Sequence, residues 1–353
     1  MTWAAVHQFV PTLQPGDAIG SHVLWIRNRL RIQGCNSEIF VGTENPDTAR
    51  ETHDLAAVDQ HVTSNDQALF LYHVAQASPC ADFLLNRQEP LALIFHNFTP
   101  PELLIHWDPN VAFELLRAQE QLTDLVAKSQ FAICDSRFNE RTLAGFGNLA
   151  TSVVPLPLQN NPSPVKVNRR RPIVLFVGRV APNKAVHDLI TAAALLQKNV
   201  PGIELRIVGG ATSELYEATL DGLVKALGLR DVVTFTGWID DEQLDLEYRR
   251  ASVFCTLSDH EGFGVPIAEA MSHGLPVVAY ANTAVTETVG DGGLLLHSKT
   301  PALVATALEK VLVDKGLANR LSTSGYRRVA SFNSELVGHA LDQALRNLSS
   351  QAR

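Results

Sequence analysis

Ile173-Val174-Leu175-Phe176-Val177-Gly178-Arg179-Val180-Ala181-Pro182-Asn183-Lys184 is the stretch on which the reading of the fold turns. A short β-branched and apolar run ends at a glycine, and an amphipathic segment follows the lysine. Over residues 185–196, Val186, Leu189, Ile190, Ala193 and Leu196 follow the spacing of one helix face. Strand, glycine turn and helix are the first unit of a βαβ repeat. Similar runs recur at 205–208, 232–236, 253–257 and 277–280, with helical stretches between most of them. Strands that alternate with helices imply a parallel sheet covered on both faces.

Outward from that stretch the first half does the same less cleanly, with strands expected at 4–10, 38–41, 68–73, 91–95, 131–134 and 152–154. Between the halves, residues 155–172 hold five of the 18 prolines and few large apolar side chains. Proline fixes φ and removes a donor, so this reads as an exposed connector. The division expected is 1–160, a linker at 161–171, and 172–333, with a final helix near 334–353 that could pack back on the first domain. A chain of 353 residues suits two cores better than one. The fold class is therefore α/β, two doubly wound Rossmann-like domains.

Composition narrows the function. Hydrophobic residues make up 46% and charged residues 19%, an ordinary globular balance. A net charge of −8 is the wrong sign for a generic nucleic-acid binder, so no nucleic-acid partner is expected. No run approaches the ~18 apolar residues needed to span a bilayer, and the N-terminal run, broken by His7, Gln8 and Pro11, does not read as a signal peptide. Cys35, Cys80, Cys134 and Cys255 lie far apart and read as small buried thiols, which fits a reducing, cytoplasmic compartment. Arg169, Arg170 and Arg171 read as a solvated linker cluster, a weak contact with anionic headgroups at the inner membrane face being the alternative.

Two loops carry chemistry. In the first, Asn183 is expected to cap a helix with Lys184 in its first turn. A cation there opposes the helix dipole unless an anion lies nearby. Gly178, Arg179 and Lys184 beside exposed amides would suit a phosphate or diphosphate, the plain alternative being two surface cations. The second is Ser258-Asp259-His260-Glu261-Gly262-Phe263-Gly264-Val265-Pro266, leading into Ile267-Ala268-Glu269-Ala270-Met271-Ser272-His273-Gly274. Pro266 at the first helical position and Gly274 at the stop frame a two-turn helix after Gly-Phe-Gly. Its N-terminus favours an anion, and Glu261 and Glu269 would meet one ligand at different heights.

These segments, with "TETVGDGGLLL" at 286–296, resemble the retaining nucleotide-sugar glycosyltransferases of family four (glycosyl transferases group 1), which have the GT-B fold of two Rossmann-like domains facing across a cleft. In the first half the resemblance is thinner, resting on "QPGDAIGSH" at 14–22 and "FHNFTPPE" at 95–102. It implies that Arg179 and Lys184 neutralise the donor diphosphate. Glu261, with the amides of Phe263, Gly264 and Val265, would hold the sugar and phosphates, and Glu269 the ribose. Trp238 and Ile239 would contact the base and His96 the transferred sugar. Gly16, Asp17 and Gly20 would close over the diphosphate.

The resemblance implies a hexosyltransferase that takes a UDP- or GDP-linked sugar as co-substrate, with no resident cofactor and no metal, and passes the hexose to a sugar, lipid-linked or small-molecule acceptor, as in polysaccharide biosynthesis. A same-fold phosphorylase or hydrolytic epimerase, and a non-catalytic sugar-nucleotide binder, are the alternatives. The chain holds no Asp-x-Asp, His-Glu-x-x-His or Cys-x-x-Cys, so no metal set is expected. Gly145-Phe146-Gly147-Asn148-Leu149-Ala150 follows a helical pattern and precedes a strand, the reverse of a dinucleotide motif.

Overall fold

The computed structural model describes residues 3–62, 68–158 and 171–351. Two compact units share the chain: Met1–Pro101 with Asn110–Pro157 and Ser334–Arg353, and Glu102–Pro109 with Leu158–Asn333. In the first unit β1 (Ala5–Val10), β2 (Ile39–Val41), β3 (His53–Asp54), β4 (Ala68–Val74), β5 (Leu91–Phe95), β6 (Phe131–Cys134) and β7 (Thr151–Val153) form one sheet ordered β3-β2-β1-β4-β5-β6-β7. Every pairing in it is parallel. All of β1, β4 and β5 is buried, as sheets sandwiched between helices require. That burial includes three polar residues, His7, Gln8 and His73, in the most enclosed strands.

The second unit repeats the plan. β8 (Ile173–Val177), β9 (Glu204–Val208), β10 (Val233–Gly237), β11 (Val253–Thr256), β12 (Val277–Tyr280) and β13 (Leu294–Leu296) form an all-parallel sheet ordered β10-β9-β8-β11-β12-β13. Strand order reverses between β1 and β4 in one sheet and between β8 and β11 in the other, and ligands of doubly wound folds bind beyond the strand ends at such points. The expected strands are present with shifts of one residue at some ends. β3 and β13, two and three residues long, were not among them.

Of the linker at 161–171, all but Arg171 lies outside the described residues, as do Arg169 and Arg170, and the Arg171 guanidinium pairs with Glu204 at 3.3 Å. Residues 102–109 depart from the contiguous first domain. Trp107 packs edge-on to Tyr216 with ring centroids 5.0 Å apart, and its carbonyl accepts from the Ser213 hydroxyl at 3.1 Å, so its apolar surface is buried on the second core. The helix Ser334–Gln351 lays Val337, Leu341, Ala344, Leu345 and Leu348 into the first core beside Ile26, Leu30 and Leu69. Asp342 locks it there, accepting from Arg29 at 3.0 and 2.8 Å and from Gln33 at 3.0 Å. No helix among the described residues is long and apolar enough to cross a membrane. The four cysteines are buried free thiols, Cys80 pushed up to about 12 by burial.

Candidate active site

The loops after β8 and β11 flank the switch point of the second sheet. Gly178 leaves β8 with φ 149°, and Val180 ties the loop to the one after β9, donating to Gly210 O at 2.8 Å. A side chain on Gly209 (φ 133°) would collide with the Gly178 carbonyl, so this close approach of two loops requires glycine. Arg179 points into solvent and meets no acidic partner among the described residues. Asn183 is not the helix cap. Pro182–Lys184 form a separate 3-10 turn, Ala185 adopts a left-handed conformation (φ 49°), and the helix Val186–Asn199 starts only after it. Proline at the start of the turn and the reversal at Ala185 separate Lys184 from the helix. Asn183 instead turns inward, its carbonyl accepting the Asp259 amide at 2.8 Å, which joins the two loops directly.

Freed from the helix, Lys184 reaches the second loop. Its Nζ lies 2.7 Å from Glu261 Oε1, with each side chain 15% exposed. The Glu261 amide donates to Thr283 Oγ1 at 3.0 Å, and Asn282 Nδ2 donates to Asp259 O at 2.6 Å. Lys299 pairs with Asp259 at 2.7 Å and Asp188 at 2.9 Å; burial would lower its pKa, but the two carboxylates hold it above the ordinary lysine value. His260, between Asp259 and Glu261 in sequence, is buried, and desolvation drives it down to about 4.

Gly264, left-handed at φ 89°, caps the helix Val265–Ser272, so Pro266 takes the second helical position rather than the first. Gly274 (φ 69°) ends it as expected. Among the described residues the amides of Phe263, Gly264 and Val265 meet no acceptor. Three such donors at a helix start form a concavity suited to an anion. Glu269, further along this helix, accepts from the Tyr248 hydroxyl at 2.7 Å. Burial raises its carboxyl above the ordinary value, and the Tyr248 hydrogen bond offsets part of that rise. His273 stacks on Tyr248 with centroids 4.7 Å apart, its Nδ1 lying 2.8 Å from Glu269 O and its Nε2 3.0 Å from Asp245 Oδ1. Neither Tyr248 nor His273 stood out in the sequence. Trp238, 73% exposed, and the half-buried Ile239 follow β10.

In the first unit Gly16 has φ 73° and Asp17 caps the helix Ala18–Ile32, its carboxylate accepting the Gly20 amide. This departs from a loop that closes on a diphosphate through Asp17 and Gly20, because the cap already places an anion on that amide. His96 follows β5 and is buried. Its Nδ1 lies 2.7 Å from Asp135 Oδ2 and its Nε2 2.9 Å from His73 Nδ1, so both nitrogens are engaged within the unit. His73 Nε2 in turn faces Gln8 Oε1 at 3.0 Å. His22 packs edge-on to both rings, with centroids 5.9 and 5.7 Å away. Desolvation, reinforced by the neighbouring rings, holds His22 and His73 well below the ordinary histidine value. Sequence spacing concealed this cluster, whose members come from three separate elements.

Residues 159–328 match the family glycosyl transferases group 1. A GDP-mannose-dependent alpha-(1-6)-phosphatidylinositol monomannoside mannosyltransferase of Mycobacterium tuberculosis is 33% identical over 164 residues, 44% of this chain and 42% of the relative. A D-inositol 3-phosphate glycosyltransferase of Frankia alni is 32% identical over 195 residues, 53% of this chain and 48% of the relative. The chain thus aligns with less than half the length of these curated relatives. Among solved structures, sucrose-phosphate synthase from Thermosynechococcus elongatus aligns with a TM-score of 0.80 at 21% identity, covering 98% of this chain and 100% of that one. Anabaena HepE in complex with UDP and glucose aligns with a TM-score of 0.77 at 18% identity over 97% and 100%. Two parallel doubly wound sheets, matched to those structures across nearly the whole chain, give this protein the GT-B fold, and residues 159–328, just under half of the chain, match glycosyl transferases group 1.

Proposed function

We propose that this protein is a retaining hexosyltransferase that takes its sugar from a UDP- or GDP-linked donor. The observation that carries the reading is the junction of the loops after β8 and β11, where the Lys184–Glu261 pair lies in one loop system with the unpaired amides of Phe263, Gly264 and Val265. The diphosphate takes those amides and draws Lys184 and Arg179, while Glu261, released from Lys184, accepts from sugar hydroxyls. Breaking the glycosyl–phosphate bond places negative charge on the departing phosphate, and cations and amides already aimed there stabilise it without reorganisation. No metal is needed for that step.

Glu269 receives the ribose hydroxyls through the oxygen that Tyr248 leaves open, and the segment Trp238–Ile239 lies against the base. The printed names of a GDP-mannose-dependent relative and of a UDP complex support a nucleoside diphosphate sugar without choosing the base. Retention rests on same-face attack assisted by the leaving phosphate. In support, Glu269 is held by Tyr248 and given to the ribose, and Glu261 is given to the sugar hydroxyls, so neither serves as half of a carboxylate pair that activates water or forms a glycosyl-enzyme. The acceptor, a sugar, lipid-linked or small molecule, falls to the first unit, with His96 at the transferred sugar. The buried thiols suit a cytoplasmic setting.

Calorimetry and thermal shift with UDP, GDP and ADP test this reading, because a ligand that binds only the native state raises its apparent stability. One of these nucleotides should bind selectively and its hexose conjugate should release nucleoside diphosphate on incubation. Absence of binding by all three would overturn the proposal.

A further inference from the structure

Three histidines of the first unit, from the helix Ala18–Ile32, from β4 and from the end of β5, converge beyond the strand ends: one ring nitrogen from each of His22, His73 and His96 lies within 4.8 Å of the others. The hydrogen-bond polarity of this cluster is set from both ends. Gln8 Nε2 donates to Val23 O at 3.1 Å, so Gln8 Oε1 faces His73 Nε2 and must accept a hydrogen from it. At the other end the Asp135 carboxylate accepts from His96 Nδ1. With both rings neutral, the remaining nitrogens, His73 Nδ1 and His96 Nε2, each present a lone pair, and they face one another 2.9 Å apart. Two lone pairs at that distance need one positive unit to join them.

His22 indicates what that unit is. Its ring is 2% exposed and neither nitrogen has a partner, an arrangement that costs free energy unless something accepts the lone pair. From the cluster we infer a divalent transition-metal site, of the zinc class, in which His22, His73 and His96 are the ligands and water takes the fourth position. Zn–N bonds of 2.0–2.1 Å in a tetrahedron set ligand nitrogens ~3.3 Å apart, so the facing pair need open by only a few tenths of an ångström. Imidazole-only ligation favours zinc, cobalt, nickel or copper over magnesium and calcium, which want oxygen. Asp135 on the outer nitrogen of His96 and Gln8 on that of His73 fix tautomer and ring orientation, as outer partners of metal-bound histidines do. The ion organises the first unit's strand ends. The diphosphate in the second unit is still served by Arg179 and Lys184; His96 belongs to both readings, so zinc stoichiometry tests this inference and nucleoside diphosphate binding tests the proposed function.

The test uses the full chain. Elemental analysis after dialysis against zinc and then metal-free buffer should find about one zinc per chain, and cobalt should give the intense visible bands of a tetrahedral site. His22 stacks on Trp25 with centroids 5.8 Å apart, so bound cobalt or copper should quench that indole. His22→Phe keeps the stacking and removes a ligand, and Asp135→Asn removes the outer support. Each should weaken zinc binding at least tenfold, with folding checked by circular dichroism. If a variant fails to fold, the wild-type cobalt spectrum and zinc stoichiometry decide alone. No retained zinc and no tetrahedral cobalt spectrum in the wild type would show that a shared proton joins the rings and would overturn the inference. Unaltered zinc affinity in folded His22→Phe would do so too, placing the ion elsewhere.

Discussion

Replacing Lys184 by methionine keeps the aliphatic stem and removes only the ammonium. That group lies 2.7 Å from Glu261 Oε1 and both side chains are 15% exposed, so it is already mostly desolvated before any phosphate arrives. A hydrogen bond to a charged group in such a setting contributes ~1.5–3 kcal/mol. A cation aimed at charge that develops on a leaving group contributes ~2.7–4 kcal/mol to the barrier, because it acts where water is excluded. Lys184→Met should therefore lower kcat/KM by about 10²- to 10³-fold, and Lys184→Arg should recover part of the loss because the charge returns with different geometry. The assay is nucleoside diphosphate release from UDP- and GDP-hexoses, with circular dichroism to verify folding. Turnover of Lys184→Met within twofold of wild type would refute the assignment of this lysine to the diphosphate.

Other consequences are as concrete. Glu269→Gln should weaken nucleoside diphosphate binding ~10-fold or more through a lost charged acceptor. Hydroxyl donation favours the ionised carboxylate, and burial raises its pKa above 4.5, so wild-type affinity should climb with pH through that titration while the variant's does not; parallel curves by calorimetry would contradict this. His260 binds a proton near 6.5 when unfolded but only near 4 when folded. Its share of stability is complete above the first value and falls away towards the second, by at most ~3 kcal/mol. Urea midpoints of His260→Gln should flatten over that interval, and an unchanged slope would dismiss the effect. Asp342→Ala strands Arg29 and Gln33 and should destabilise the first unit by ~2 kcal/mol. Burial alone would raise the Asp342 carboxyl, but Arg29 and Gln33 hold it down, so the contribution is present above its ordinary pKa and disappears as acid protonates it. Equal denaturation midpoints for wild type and variant would count against that role.

Local pattern alone determined much of this molecule. Short β-branched, apolar runs placed the strands and helical spacing placed the helix Val186–Asn199, because a strand covered on both faces and a helix with one buried face each impose a pattern on the chain. Glycine and proline placed the helix Val265–Ser272 within one position, since their backbone restrictions are intrinsic. Lys184 and Glu261 stood out as charges in the loops after β8 and β11, whereas their roles, and that of Glu269 inside the helix Val265–Ser272, came from the resemblance to a known family.

Tertiary structure decided what those residues touch. Asn183 reads as a cap, yet the Asp259 amide turns its carbonyl inward, a partner 76 positions away along the chain that no window contains. Trp107 lies amid first-unit sequence but buries itself on Tyr216 of the second core. Tyr248, whose hydroxyl donates to Glu269, sits on a different helix. The histidine cluster is the sharpest case: His22, His73 and His96 each look like isolated polar residues in apolar or loop sequence. Only a parallel sheet, which stacks the carboxyl ends of β1, β4 and β5 side by side, brings their nitrogens together. Spacing along a strand or helix is a local property, whereas lone-pair convergence depends on the strand order, which the chain adopts only on folding.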